Sequence, residues 1–167
     1  MNSSALAEFS DFAHSRWPRL VRLGYGLTGD RGLAEDLAQT ALANAYASWS
    51  RVHRAADPDA YLARILLNSY RGGFRKRRIA EQLSDSPPDS AIADPAVQHD
   101  DRAAVLAAVA ALPRKQREVV LLRFWLDLTE AQAAATLGCS VGNVKSQTAR
   151  ALAKLKVSAE LAEWGTQ

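Results

Sequence analysis

The segment Ser84–Ala96, SDSPPDSAIADPA, constrains this chain more than any other stretch. It holds three prolines, three aspartates and no basic residue. Adjacent Pro87 and Pro88 lack backbone donors and push their predecessors out of the helical region, so no helix crosses here. A structureless loop of this length is unusual inside a compact domain. The segment is therefore expected to be a linker, centred in residues 80–100, between an N-terminal domain (1–79) and a C-terminal domain (101–167).

Charge follows the same division. Residues 1–79 carry a net +5, residues 80–101 a net −6, and residues 102–167 a net +4. Two basic blocks flank an acidic spacer, which points to anionic partners more clearly than the overall +3 does. Alanine and leucine dominate both blocks and β-branched residues are sparse, which favours helix.

In the first block, Leu6, Phe9, Phe12, Ala13, Trp17, Leu20, Val21, Leu23 and Leu27 recur at near-helical spacing. Pro18 predicts a break or bend there, and Thr28-Gly29-Asp30 a turn. A second helix is expected over Arg31–Trp49, with Leu33, Leu37, Ala41, Leu42, Ala45 and Tyr46 inward. Ser50–Asp57 is expected to be a polar loop. Asp57 as N-cap and Pro58 at the first helical position start a third helix to about Ile79, weakened by Gly72-Gly73. The second block predicts helices over Asp101–Ala111 and Pro113–Trp125, then Glu130–Leu137 capped by Thr129. A last helix, Val141–Lys156, is capped by Ser140. The fold class expected is all-α.

Thr129–Lys156, TEAQAAATLGCSVGNVKSQTARALAKLK, has the pattern of a helix-turn-helix. Ala134 is small where the helices cross and Gly138 supplies the turn. Val144, Thr148, Ala151, Leu152 and Leu155 form a seating face for the second helix. Asn143, Ser146, Gln147, Arg150 and Lys154 then face outward, with Lys145 on a flank. Such side chains reach base edges and phosphates when a helix enters the major groove. No acid occurs from Val141 to Lys156, which suits a surface that meets phosphate. In the third helix, Tyr61, Tyr70 and Phe74 interleave with Arg64, Arg71, Arg75, Lys76, Arg77 and Arg78. Aromatics and cations together suit single-stranded nucleic acid. The same tyrosines equally suit a core, and a basic helix end complements its dipole.

The order of these blocks resembles the extracytoplasmic-function sigma factors of bacterial RNA polymerase, most of all an actinobacterial sigma-E-like subgroup. EDLAQTALANAYASW, Glu35–Trp49, resembles the helix by which these proteins grip the polymerase clamp. DPDAYLARILLNSYRGGFRKRR resembles the helix that handles the upstream edge of the melted promoter. Leu106–Leu155 is similar to the domain that recognises the minus-thirty-five element.

Position by position, the resemblance implies that Asp36, Gln39, Thr40 and Asn44 face the polymerase clamp. Thr40 stands where many members carry Glu. It places Arg51, His53 and Arg54 in the loop that captures a flipped minus-ten base. Tyr61, Tyr70, Phe74, Arg75, Arg77 and Arg78 follow on the adjoining helix. It assigns Asn143, Lys145, Ser146, Gln147, Arg150 and Lys154 to minus-thirty-five DNA. Gly72 and Gly73 replace bulkier residues of the related subgroup. The partners implied are core RNA polymerase, double-stranded and melted promoter DNA, and an anti-sigma protein acting in trans.

Other function classes find little support. Cys139 is the only cysteine, so neither an intrachain disulfide nor a cysteine-rich zinc site is possible. His14, His53 and His99 lack ligand spacing, and phosphate-loop and nucleophile-elbow motifs are absent. No catalytic residue, metal or cofactor is expected. MNSSALAEFSDF lacks the basic and apolar regions of a signal peptide, and no apolar run approaches the ~20 residues of a membrane span. A cytoplasmic protein without membrane partners is expected. The rival reading is a stand-alone helix-turn-helix regulator, which would leave the clamp-like helix without a role.

Overall fold

The computed structural model describes residues 2–83 and 101–164, with side chains described over 2–73 and 104–156. The segment Ser84–Ala96 lies outside the described residues. Every regular element among those described is helical, as the sequence leads one to expect. The elements are α1 (Ser3–Thr28), α2 (Arg31–Ala47), α3 (Trp49–Arg54), α4 (Pro58–Leu83), α5 (Asp101–Ala110) and α6 (Arg114–Val120). A π-helical turn, Leu121–Trp125, precedes α7 (Glu130–Leu137) and α8 (Val141–Trp164).

Local chemistry explains most of the boundaries. Asn2 caps α1 by accepting from the Ala5 amide, and Gly29 ends it in the left-handed region at φ 71°. The Asp30 carboxylate accepts from the Leu33 amide and opens α2. Asp57 does the same for α4, accepting from the Ala60 amide at 3.1 Å. Thr129 and Gln132 form a reciprocal capping box at α7. Gly138, at φ 68°, closes α7, and the Ser140 hydroxyl caps α8 by accepting from the Asn143 amide at 3.0 Å.

Three expectations are corrected. Pro18 does not break α1, which runs through it, because tertiary packing of Phe12, Leu20 and Leu23 holds both halves. The third helix, α4, runs on through Gly72-Gly73 as expected but ends at Leu83 and not near Ile79. Ser50–Asp57 is not a polar loop: its first five residues belong to α3. Val52 is fully buried and Trp49 nearly so, between Phe9 and Phe12 of α1 and the rest of the core. Alternation hides this short helix, since only its two inward residues are apolar.

The face of α2 is also displaced. Its buried residues are Ala34, Ala38, Ala41 and Ala45, while Leu37 and Leu42 flank them and Tyr46 is exposed. Alanines permit close approach: Gly24 of α1 lies so near that an added Cβ would meet the Ala34 backbone at 3.0 Å.

The two blocks share one continuous apolar core. Leu23, Leu27, Leu62, Leu66 and Leu67 of the first join Leu106, Val109, Val119, Leu121 and Leu122 of the second. Gly26 marks the closest approach, where an added Cβ would stand 2.5 Å from Leu121 Cδ2 and 3.3 Å from Leu106 Cδ2. The π-helical turn is the piece of the second block that meets α1 here. Its wide turn, marked by the Leu126 amide bonding the Leu121 carbonyl, buries Leu121 and Leu122 and leaves Phe124 outside.

Candidate nucleic-acid interface

The second helix of the helix-turn-helix, α8, is seated by Val144 and Ala151, both fully buried, with Thr148 and Leu155 half-buried beside them. Leu152, expected on that face, is instead 45% exposed. It lies next to Ala151 on the rim, where an apolar residue follows the helical period but not the contact.

Outward, Lys145, Ser146, Arg150 and Lys154 are exposed, and Asn143 and Gln147 are half-buried. These six expected residues therefore share one stretch of helix, but they do not stand equally free. Lys145 Nζ lies 3.7 Å from Glu130 Oε2, whose other oxygen is 3.9 Å from Arg123. Glu130, at the start of α7, thus draws Lys145 toward the turn. The stretch Val141–Lys156 carries Lys145, Arg150, Lys154 and Lys156 and no acid, which keeps this part of the helix basic.

The second interface is split by the structure. Arg51, His53 and Arg54 are exposed on α3, and all three fall in its last turn. The His53 ring lies 5.4 Å from the Trp49 ring, so the buried tryptophan carries the exposed histidine. The cations also complement the carbonyl end of the helix.

Tyr61 and Tyr70 do not fit free stacking platforms. Tyr61 is half-buried against the core. Tyr70 is 8% exposed, and its hydroxyl accepts from Arg117 Nη1 at 3.1 Å. Their spacing serves the apolar face of α4, the alternative that the sequence left open. Phe74, Arg75, Arg77 and Arg78 lie on α4 but outside the residues whose side chains are described.

On α2, Asp36, Thr40 and Asn44 follow one another at intervals of four and line one cleft between α2 and α4. The Thr40 hydroxyl donates to the Asp36 carbonyl at 2.9 Å, and Asn44 Nδ2 donates to Ser69 Oγ at 3.3 Å. The cleft is open to solvent, has a volume of about 460 Å³ and is floored by Gly72 and Gly73, where an added Cβ would meet nothing within 4 Å. Gln39 is exposed on the same helix but does not line the cleft.

A polar cluster between the blocks escapes sequence reasoning. Glu118 of α6 is only 2% exposed, and Arg71 of α4 donates to both its oxygens, at 2.9 and 3.4 Å. Arg114 donates to the same carboxylate at 3.3 Å. The hydrogen bond to Glu118 raises the Arg71 pKa, against the opposing effect of burial. Arg117 completes the cluster by donating to the Leu27 and Leu112 carbonyls and to Tyr70. Only the Arg114–Glu118 spacing of four is visible in the sequence; the Arg71 partner is 47 residues away.

Comparison with known proteins follows the same division of the chain. Residues 13–79 match the family model for sigma-70 region 2, and residues 102–155 match sigma-70 region 4. The RNA polymerase sigma-E factor of Streptomyces antibioticus is 38% identical over 96% of this chain and 89% of that protein. The sigma-E factor of Streptomyces coelicolor is 38% identical over 89% of this chain and 84% of its own length. Among solved structures, the sigma factor RpoE of Bartonella quintana, in complex with the anti-sigma factor NepR, matches with a TM-score of 0.81. It is 29% identical and covers 92% of this chain and 97% of that one. CnrH, in complex with the cytosolic domain of CnrY, matches with a TM-score of 0.62 at 25% identity, over 92% of this chain and 88% of its own. With both regions present in order on an all-helical frame, the chain belongs to the sigma-70 family, as an extracytoplasmic-function sigma factor of the sigma-E type.

Proposed function

We propose that this sigma factor binds core RNA polymerase through the α2 cleft, engages melted minus-ten DNA with α3 and the basic part of α4, and recognises minus-thirty-five duplex with α8. The observation that carries the reading is the pairing of two unlike surfaces on one chain. An exposed recognition surface with no acid from Val141 to Lys156 is what any helix-turn-helix regulator needs. The cleft that gathers Asp36, Thr40 and Asn44 is a second surface, which a stand-alone regulator would not use.

Asn143, Lys145, Ser146, Gln147, Arg150 and Lys154 are assigned to the upstream element. Arg51, His53, Arg54, Phe74, Arg75, Arg77 and Arg78 are assigned to the minus-ten region, with Tyr61 and Tyr70 supporting the helix from within. Residues 1–79 and 101–167 act as the two functional domains, joined by the acidic segment 80–100. Bond formation belongs to the polymerase, so no residue here takes a catalytic role. Among the described residues no helix is long and apolar enough to cross a membrane. We place the protein in the cytoplasm, with core polymerase and promoter DNA as partners. The sigma factor RpoE of Bartonella quintana is a structural neighbour in complex with an anti-sigma factor, and we assign this chain the same kind of regulator.

The test is a pull-down of core polymerase with the full chain, followed by footprinting on a promoter. Retention of core enzyme and protection of both elements is the expected result. A footprint that forms equally well without polymerase would favour the stand-alone regulator.

A further inference from the structure

The helix-turn-helix from Thr129 to Lys156 carries a single acidic residue, Glu130, against the four cations Lys145, Arg150, Lys154 and Lys156. Glu130 opens α7, and its carboxylate is turned across to the recognition helix, where Oε2 lies 3.7 Å from Lys145 Nζ. On its other side Oε1 lies 3.9 Å from Arg123 Nη2. Arg123 is itself held in place: its Nη1 donates to the Leu128 carbonyl, and its guanidinium lies 5.9 Å from the Phe124 ring. The carboxylate thus has an anchored cation behind it and a long, flexible one in front. The Lys145 side chain is 66% exposed, so its ammonium stays open to a further partner.

We propose that Glu130 is a specificity-determining residue, which keeps Lys145 from serving as a general phosphate contact and reserves it for a neutral acceptor on a base edge. The inference rests on the assignment of α8 to minus-thirty-five duplex and adds a residue that makes none of the assigned contacts itself. In helix-turn-helix docking the first helix crosses the phosphate backbone, while the N-terminal residues of the second reach base edges. Glu130 stands in the first turn of α7 and Lys145 in the second turn of α8. The pair therefore lies where backbone and groove meet, and the carboxylate sits on the backbone side of it.

Charge decides between the two kinds of acceptor. An ammonium group has three donors, so Lys145 can keep Glu130 and still donate elsewhere. A phosphate oxygen brought to the same ammonium sets a second full negative charge close to the Glu130 carboxylate, and the two repel. Guanine O6 and N7 carry no net charge and bring no such repulsion. Glu130 thus penalises the acceptor that every duplex offers and leaves the one that depends on sequence. Folding depends little on this arrangement, because exposed ion pairs contribute little to stability. The start of α7 is secured by the Thr129–Gln132 capping box, which does not use the Glu130 side chain.

The experiment uses holoenzyme reconstituted from the full chain and core polymerase, with core polymerase alone as the baseline. Each variant is titrated across a salt series on two duplexes. One carries the upstream element shared by the transcribed fragments of a promoter library, and the other is the same duplex with that element scrambled. Glu130→Gln should bind the scrambled duplex roughly fivefold more tightly at low salt and steepen its salt slope by about 0.9, the share of one added phosphate contact. Affinity for the upstream element should rise less than about twofold, so the preference for it falls.

Adding Lys145→Ala to Glu130→Gln should cancel the gain on the scrambled duplex, because the released cation is then gone. An unchanged slope in Glu130→Gln, an equal gain on both duplexes, or a gain that survives Lys145→Ala would overturn the proposal. Wild-type holoenzyme that transcribes no fragment of the library would instead overturn the sigma reading, and with it the role of Glu130.

Discussion

Replacing Arg51, His53 and Arg54 together by serine separates the DNA-facing side of α3 from its packing side. All three are exposed, whereas Trp49 and Val52 between and before them are core. The structural cost is small. Two cations leave the carbonyl end of the helix, at about 0.3–1 kcal/mol each, and one exposed ring contact with Trp49 is lost. The effect on DNA is larger and has a defined form. Each cation removed from single-stranded contact lowers the salt slope by about 0.7, so two lower it by about 1.4.

The assay is the fluorescence of a base analogue in the minus-ten element of a linear promoter, measured across a salt series with core polymerase. The triple variant should show weaker opening, a flatter slope and unchanged polymerase affinity. Val52→Ala is the contrast. It removes two fully buried methyl groups, worth about 2–3 kcal/mol with the cavity included, and should lower the melting temperature without a change of slope. Wild-type opening and an unchanged slope in the triple variant would refute the assignment of α3 to DNA.

Three further outcomes are expected. Asp36→Arg, at an exposed site on the α2 cleft, should weaken core polymerase binding in a direct titration while the melting temperature holds. Arg150→Ala should cost about 1–3 kcal/mol at one base position and relax specificity there, whereas Lys154→Ala should weaken all sequences alike and flatten the salt slope by about one, both scored on a panel of minus-thirty-five variants. Thr129→Ala removes one side of the α7 capping box and should lower stability by about 1 kcal/mol, measured by denaturant unfolding, with the upstream base preference intact.

The sequence made the elements with explicit punctuation legible. Gly29, Asp30, Asp57, Thr129, Gly138 and Ser140 carry their own stop and start signals, and each acts where its chemistry placed it. Much of the exposed face of α8 was legible for the same reason, since a long regular helix sorts its residues by period, but Asn143 and Gln147 are half-buried and Leu152 is exposed. What failed was decided by contacts made at a distance. The inward face of α2 is alanine because Gly24 brings α1 close, and no local pattern favours alanine over the neighbouring leucines. Val52 looks like a stray in a polar loop, and Trp49 like the last residue of the second helix, until α1 supplies Phe9 and Phe12 against Trp49. Tyr70 alternates with cations as a stacking residue would, and Arg117, 47 residues later, draws its hydroxyl into the interior. A buried Glu118 reads as a surface charge because its second arginine lies on the other block.

Run-off transcription with purified core polymerase on a library of promoter fragments tests most directly whether this chain acts as a sigma factor. Addition of the protein should produce discrete transcripts from a subset of fragments sharing paired upstream and downstream elements, with no such transcripts from core enzyme alone. Sequence-specific binding to those fragments with no stimulation of initiation would contradict the assignment.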